Sequence, residues 1–174
     1  TKYEYPIPLN MQGDVEKPIS SQDKFPAPAN LKRFPNILQE REQVVITEKV
    51  HGTNFTILKT DSTVHIGSHN YFWNNTEENQ NQVYIRAYNE NKGLQCLPEG
   101  TQVFGEIYGV QDIKYGKKNG EIGIIIFAVK QDGKFLDYED FVCFCCELSL
   151  PMAPYLYSGE FRPEKLEKYN NANS

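Results

Sequence analysis

Lys49 stands at the end of a β-branched run and just before a glycine turn, in the string Thr47-Glu48-Lys49-Val50-His51-Gly52-Thr53-Asn54-Phe55. That order would hold an amine at the mouth of a sheet, and Gly52 would let backbone come close to a bound ligand. A free lysine amine is normally protonated, with a pKa of about 10.4. To act as a nucleophile it must be desolvated or set beside another cation, such as a metal ion. A lysine at a strand end is more often structural, so the whole string carries the reading rather than the amine alone.

The flanking elements follow from periodicity and punctuation. Residues 43–49 (QVVITEK) read as a strand, 51–53 as a break, 54–59 (NFTILK) as a second strand and 64–67 as a third. Residues 70–81 are polar and aromatic and read as a loop. Val83 with Ala87, and Tyr84 with Tyr88, fall at helical spacing within 82–91. Residues 101–108 (TQVFGEIY) form a strand, 111–120 a charged loop, and 123–130 (GIIIFAVK) an apolar strand buried on both faces. Gln131-Asp132-Gly133-Lys134 is a hairpin turn leading into Phe135-Leu136. Residues 137–148 read as a helix with an acidic start, ended by Pro151, and 163–169 as a last short helix. Strands dominate and helices are inserted between them. The expected class is α+β, with mostly antiparallel sheets rather than a doubly wound one.

Six of the ten prolines lie in the first thirty-five residues, which read as an extended, turn-rich arm. This arm is either a linker from an upstream module or a strap along the domain surface. The chain begins at Thr1 rather than Met, which suggests a fragment or an engineered start. Its 174 residues suffice for one domain with a sizeable core. A net charge of -5 argues against a protein that merely coats nucleic acid, though not against a local basic groove. Lys114, Lys117 and Lys118 make one basic loop, and Lys32, Arg33 and Arg41 another basic neighbourhood; solvated surface charge explains each equally well. No apolar run reaches the length of a membrane span, and the N-terminus is not a signal peptide. Cys143, Cys145 and Cys146 crowd one segment, with Cys96 apart. Neither a disulfide framework nor a zinc site fits that spacing. Buried reduced cysteines on a helix are expected, and with them a reducing, intracellular and cytoplasmic location.

The EKVHGTNF string resembles motif I of the RNA ligase family that includes phage-type and RNA-editing ligases, whose pattern is KxHGxN. The resemblance runs on in order along most of the chain. Gly67-Ser68-His69-Asn70 falls at motif Ia, and Val83-Tyr84-Ile85-Arg86-Ala87 is similar to the helical segment after it. Val103-Phe104-Gly105-Glu106-Ile107-Tyr108-Gly109 resembles motif III, and Ile125-Ile126-Phe127-Ala128-Val129 sits at motif IIIa. Asn30 to Asn36 (NLKRFPN) is similar to the lead-in of a subfamily with an OB-fold module upstream. The resemblance implies an adenylation domain of the ATP-grasp-like ligase type. It would comprise an arm at 1–35 and a partial nucleotidyltransferase domain at 36–174.

The same resemblance implies the roles of individual residues. Lys49 would attack the α-phosphorus of ATP and carry AMP as a covalent intermediate. AMP would pass to an RNA 5′-phosphate, and a 3′-hydroxyl would displace it to seal the ends. Glu48 would lie beside the adenine pocket, and His51 and Asn54 near the phosphates. Glu106 would contact the ribose or bind Mg²⁺ or Mn²⁺ indirectly, through water; on a strand, a surface glutamate is the ordinary alternative. Phe127 would stack on adenine, although a phenylalanine in an apolar strand is usually core. His69 stands where some relatives have an arginine that grips phosphate. The run Tyr71-Phe72-Trp73 after it would either stack on a base or anchor the loop. Arg86 would meet a phosphate or remain a solvated helix charge, and His65 reads as structural.

Two departures qualify the match. Ala128 replaces the family's usual Asp, and motifs IV and V, which supply a metal-binding Glu and phosphate-binding lysines, are not found before Ser174. The expectation is a chain truncated before motif IV and weakened or inactive by itself. ATP and RNA ends are the expected partners, with no membrane and a monomeric state. The alternatives are a DNA ligase or capping-type transferase, which generally carry Asp where His51 stands, or a catalytically dead nucleotide- or RNA-binding module.

Overall fold

Runs of β-branched and aromatic residues broken by glycine and short polar turns build this chain mainly from strands. The computed structural model describes residues 6–17 and 24–170. Parts of the Pro-rich arm (1–5 and 18–23) and the tail 171–174 lie outside the described residues. After a short 3-10 turn at Leu9–Met11, the order is β1 (Val15–Glu16), β2 (Gln43–Thr47), β3 (Thr53–Thr60), β4 (Thr63–Gly67), β5 (Phe72–Trp73), α1 (Val83–Glu90), α2 (Lys92–Gln95), β6 (Thr101–Tyr108), β7 (Gly123–Gln131), β8 (Lys134–Phe135), α3 (Tyr138–Glu147), β9 (Tyr155–Glu160) and α4 (Pro163–Asn170). The class is α+β, and every ladder between named strands is antiparallel.

The chain divides into two units, one of Thr1–Phe25 with Val50–Met152 and one of Pro26–Lys49 with Ala153–Ser174. The first holds a seven-stranded sheet in the order β1-β5-β4-β3-β6-β7-β8. Side chains alternate across it. Phe55 and Ile57 of β3, Val103 and Ile107 of β6, and Ile126 and Val129 of β7 supply the side that packs with Ile85, Leu94, Phe144 and Cys145 from the helices. Each large apolar side chain buried there contributes about 1.5–3 kcal/mol. Asn54, Thr56, Phe104 and Glu106 alternate with these and face the other way.

Local chemistry sets the boundaries. Asp132 (φ 47) and Gly133 (φ 81) both adopt the left-handed region, as a two-residue hairpin between β7 and β8 requires. Asp137 caps α3, its Oδ1 accepting from the Asp140 N–H at 3.0 Å. Glu139 and Asp140 then favour the positive end of the helix dipole. The expected burial of 123–130 on both faces holds for Ile124, Ile125 and Ile126, whereas Phe127 and Ala128 are half-buried.

The second unit pairs β2 with β9 from Gln43 opposite Glu160 to Thr47 opposite Tyr155, with a register shift between Ile46 and Thr47. Beyond the ladder, Phe161 N–H donates to Glu42 O at 2.7 Å, and Glu48 N–H donates to Pro154 O at 2.8 Å.

Several elements differ from the sequence expectations. The strand expected at 43–49 ends at Thr47, where the irregularity interrupts the ladder. The loop expected at 70–81 contains β5, which pairs both β4 and β1. β9 was not expected, because Ser158 and Gly159 dilute its pattern and its partner lies far away in sequence. Residues 15 and 16 of the arm join the sheet as its edge strand. Of the cysteines expected to be buried on a helix, only Cys145 is; Cys143 and Cys146 face outward from α3, and Cys96 is exposed at the end of α2.

Candidate active site

Lys49 lies two residues beyond β2. It is exposed and makes no hydrogen bond or ion pair among the described residues. Glu48 is half-buried and tied through its backbone to Pro154. Val50 is buried, and the chain then turns at His51-Gly52 into β3.

That turn is held from a distant loop. His51 N–H donates to the Tyr115 hydroxyl oxygen at 2.9 Å. Gln111 Nε2 donates to Gly52 O at 2.7 Å and to Thr53 Oγ1 at 3.3 Å. Gly52 itself presses against β6, because any Cβ there would collide with Ile107 O and come within 3.1 Å of Glu106 Cγ. The glycine is therefore needed for close approach rather than for a special φ.

Asn54 and Glu106 stand directly opposite each other across β3 and β6, on one face of the sheet. The Asn54 Oδ1 accepts from the His69 N–H at 3.1 Å, which fixes the chain after β4. Ser68 Oγ accepts from the N–H groups of Asn70 and Tyr71 at 3.2 and 3.4 Å. The Tyr84 hydroxyl is raised above its ordinary pKa, first by burial; a hydrogen bond with Ser68 lowers it, and the charge of Glu106 raises it. Asn54 and Glu106 thus pair at one end of the sheet, with the His69 backbone tied to Asn54 and Ser68 bonded to Tyr84 close by in the chain.

The remaining candidates are placed as follows. His69 is exposed, with its backbone held and its ring without a partner among the described residues. Arg86 is already engaged, bonding Glu90 Oε1 at 3.2 Å and Gly120 O at 3.0 Å. His65 Nδ1 meets Glu16 Oε1 at 2.9 Å and its ring packs on Phe72, which agrees with a structural role. Phe72 is fully buried and Trp73 stacks on Tyr84 with ring centroids 6.2 Å apart, so these two aromatics anchor the loop. Phe127 is the extra residue of a bulge, since Phe104 pairs with Ala128 and Gly105 with Ile126. Its half-buried ring makes a T-shaped contact with Phe25, from the arm, at 5.1 Å, and Phe25 also packs on Phe104 at 5.3 Å.

Gln111 and Tyr115 were missed in the sequence because a loop side chain carries no periodicity that predicts its target. Among the described residues no group of three or more His, Cys, Asp and Glu could hold a metal ion. A concavity of about 310 Å³ beside Leu136, Asp140 and Cys143 of the α3 region involves none of these residues. Among the described residues no helix is long and apolar enough to cross a membrane.

The fold resembles solved structures of an RNA ligase from Naegleria gruberi. One, with PPi, has a TM-score of 0.71 at 21% identity, covering 92% of this chain and 50% of the other. A point variant with ATP and Mn gives 0.70 at 18% identity, covering 93% and 51%. Another variant, with AMP and Mn, gives 0.73 at 20% identity, again covering 93% and 51%. The chain therefore spans about half the length of these structures. No curated protein sequence matches it. The RNA ligase family profile matches residues 42–173, and the chain belongs to that family.

Proposed function

We propose that this chain is the adenylation domain of an ATP-dependent RNA ligase, in which Lys49 takes up AMP. Its Nζ attacks the α-phosphorus of ATP; a P–N bond forms, the P–O bond to pyrophosphate breaks, and the amine gives up a proton. The observation that carries the reading is the string from Lys49 to Asn54 within the family match: it leads from an exposed lysine, through a braced turn, to the Asn54–Glu106 pair. The exposed lysine is open to a substrate rather than committed to the core. Asn54 and His51 flank the turn as polar partners for phosphate oxygens. Glu106 is suited to the ribose or a hydrated divalent cation. When bound, Mg²⁺ or Mn²⁺ supplies charge neutralisation at the phosphates. Adenine stacking on Phe127 requires a face of its ring that the T-shaped contact with Phe25 does not occupy. The transfer of AMP to an RNA 5′-phosphate and closure by a 3′-hydroxyl extend this proposal to the whole ligase.

The test is covalent labelling of the intact polypeptide with α-labelled ATP and a divalent cation. Wild type is expected to become labelled and Lys49→Ala to stay at background while remaining folded, because Lys49 makes no contact the fold needs. No label on wild type, or equal label on Lys49→Ala, refutes the adenylation reading. Labelling by GTP in preference to ATP would point to a capping-type transferase instead.

A further inference from the structure

We propose that Tyr115 and Gln111 are positioning residues whose side chains brace the His51-Gly52 turn, which follows Lys49 in the chain, for the charging step. This rests on the adenylation reading and adds a role to a loop that lies outside the motif strings.

Both side chains converge on one dipeptide from about sixty residues away, Tyr115 on the His51 N–H and Gln111 on the Gly52 carbonyl. The sheet ladder does not reach these groups, since β3 pairs with β6 only from Thr53 opposite Ile107. His51 is exposed and Gly52 half-buried. Water would therefore satisfy an exposed N–H there, and folding alone does not require the protein to supply a partner. The ties instead remove freedom from the segment that leads directly to Lys49.

The loop is built to present these groups rigidly. Gly109 (φ 91) opens it, and Lys114 Nζ bonds Gly109 O at 3.0 Å. Arg86 holds its far end at Gly120 O. Tyr115 has φ 46, a left-handed conformation that a bulky side chain adopts only when its surroundings impose it. Its ring packs edge-on to Tyr108 at 5.5 Å, and Lys117 Nζ lies 5.7 Å from the centre of the Tyr108 ring. Gly123 leaves the space that the Tyr108 ring occupies. This chain of contacts sets the Tyr115 hydroxyl in place. Small errors in the placement of groups around the reacting atoms cost rate steeply, roughly up to a hundredfold for 1 Å.

Tyr115→Phe deletes only the hydroxyl, and Gln111→Met keeps the length of the side chain while removing its donor. Two measurements on the intact polypeptide test the brace. Amide hydrogen exchange of residues 50–53 is expected to quicken about tenfold in Tyr115→Phe, since a single hydrogen bond holds the His51 N–H. The maximal rate of AMP uptake is expected to fall roughly tenfold in each variant and further in the double variant, with the ATP concentration for half-maximal rate and the melting temperature unchanged. Unchanged exchange overturns the brace whether or not the protein takes up AMP. Quickened exchange with wild-type rates in both variants, or a change confined to the ATP requirement, also overturns the positioning role. Failure of wild type to label sinks the adenylation reading instead, while exchange still reports on the brace.

Discussion

The two sides of the Lys49-Val50 peptide bond belong to very different surroundings. Upstream, β2 has one partner strand, and its residues alternate between exposed and half-buried along its whole length. Downstream, β3 has partners on both edges, and Phe55, Thr56 and Ile57 at its centre are fully buried. Two-stranded sheets are marginal when they stand alone, whereas a central strand in a sheet of seven is supported by two ladders and a packed core. Under the proposed function, the difference divides one short string between two kinds of support. The turn and the polar pair are carried on the rigid element, and the lysine comes from the lightly held one.

The strongest challenge to this comparison is a substitution at the centre of β3. Phe55→Ala is expected to lower stability by about 3–5 kcal/mol, since it empties a fully buried site between strands and helices. Urea unfolding monitored by far-ultraviolet circular dichroism measures it; a loss below about 1 kcal/mol would show that β3 is no better supported than β2.

Alkali sharpens the same contrast through α3. Burial, with a smaller contribution from the charge of Cys146, pushes the Cys145 thiol from its ordinary 9.0 up to about 12. The folded protein keeps this thiol neutral where the unfolded chain would ionise it. The contribution to stability is therefore complete below pH 9 and declines as pH rises from about 9 towards 12. Burial raises Tyr84 and Tyr88 as well, which acts in the same direction. Unfolding midpoints are expected to drop above pH 9 in wild type and less steeply in Cys145→Ala. Parallel curves would mean that Cys145 is not desolvated in the folded protein.

The smallest effect belongs to β2. Val45→Ala removes a side chain that is 37% exposed and is expected to change stability by no more than about 0.5 kcal/mol. A cost approaching that of Phe55→Ala would erase the distinction between the two strands.

How far the site could be read from the chain follows from where its information is local. The lysine, the glycine turn and the strands at 54–59 and 101–108 were legible because a β-branched run, a glycine and a motif string are contiguous. The pairing of Asn54 with Glu106 was not, because strand register across some fifty residues depends on which face is buried rather than on either strand alone. The β5 pair within an apparent loop escaped for a related reason, since two residues cannot show a period. The burial of all the helix cysteines was over-read: α3 shows only one side to the core, and Cys143 and Cys146 lie off it.

By itself the sequence determined the α+β class, most strand and helix positions and the family, and it singled out Lys49 as the candidate amine. These rest on local period, turn chemistry and contiguous motifs. Only the tertiary structure decided that Glu106 faces Asn54, that Arg86 is spent on the loop at Gly120, and that Tyr115 and Gln111 grip the turn after Lys49. A hydrogen bond between residues sixty positions apart is set by how sheets register and loops close, and no local pattern encodes that geometry.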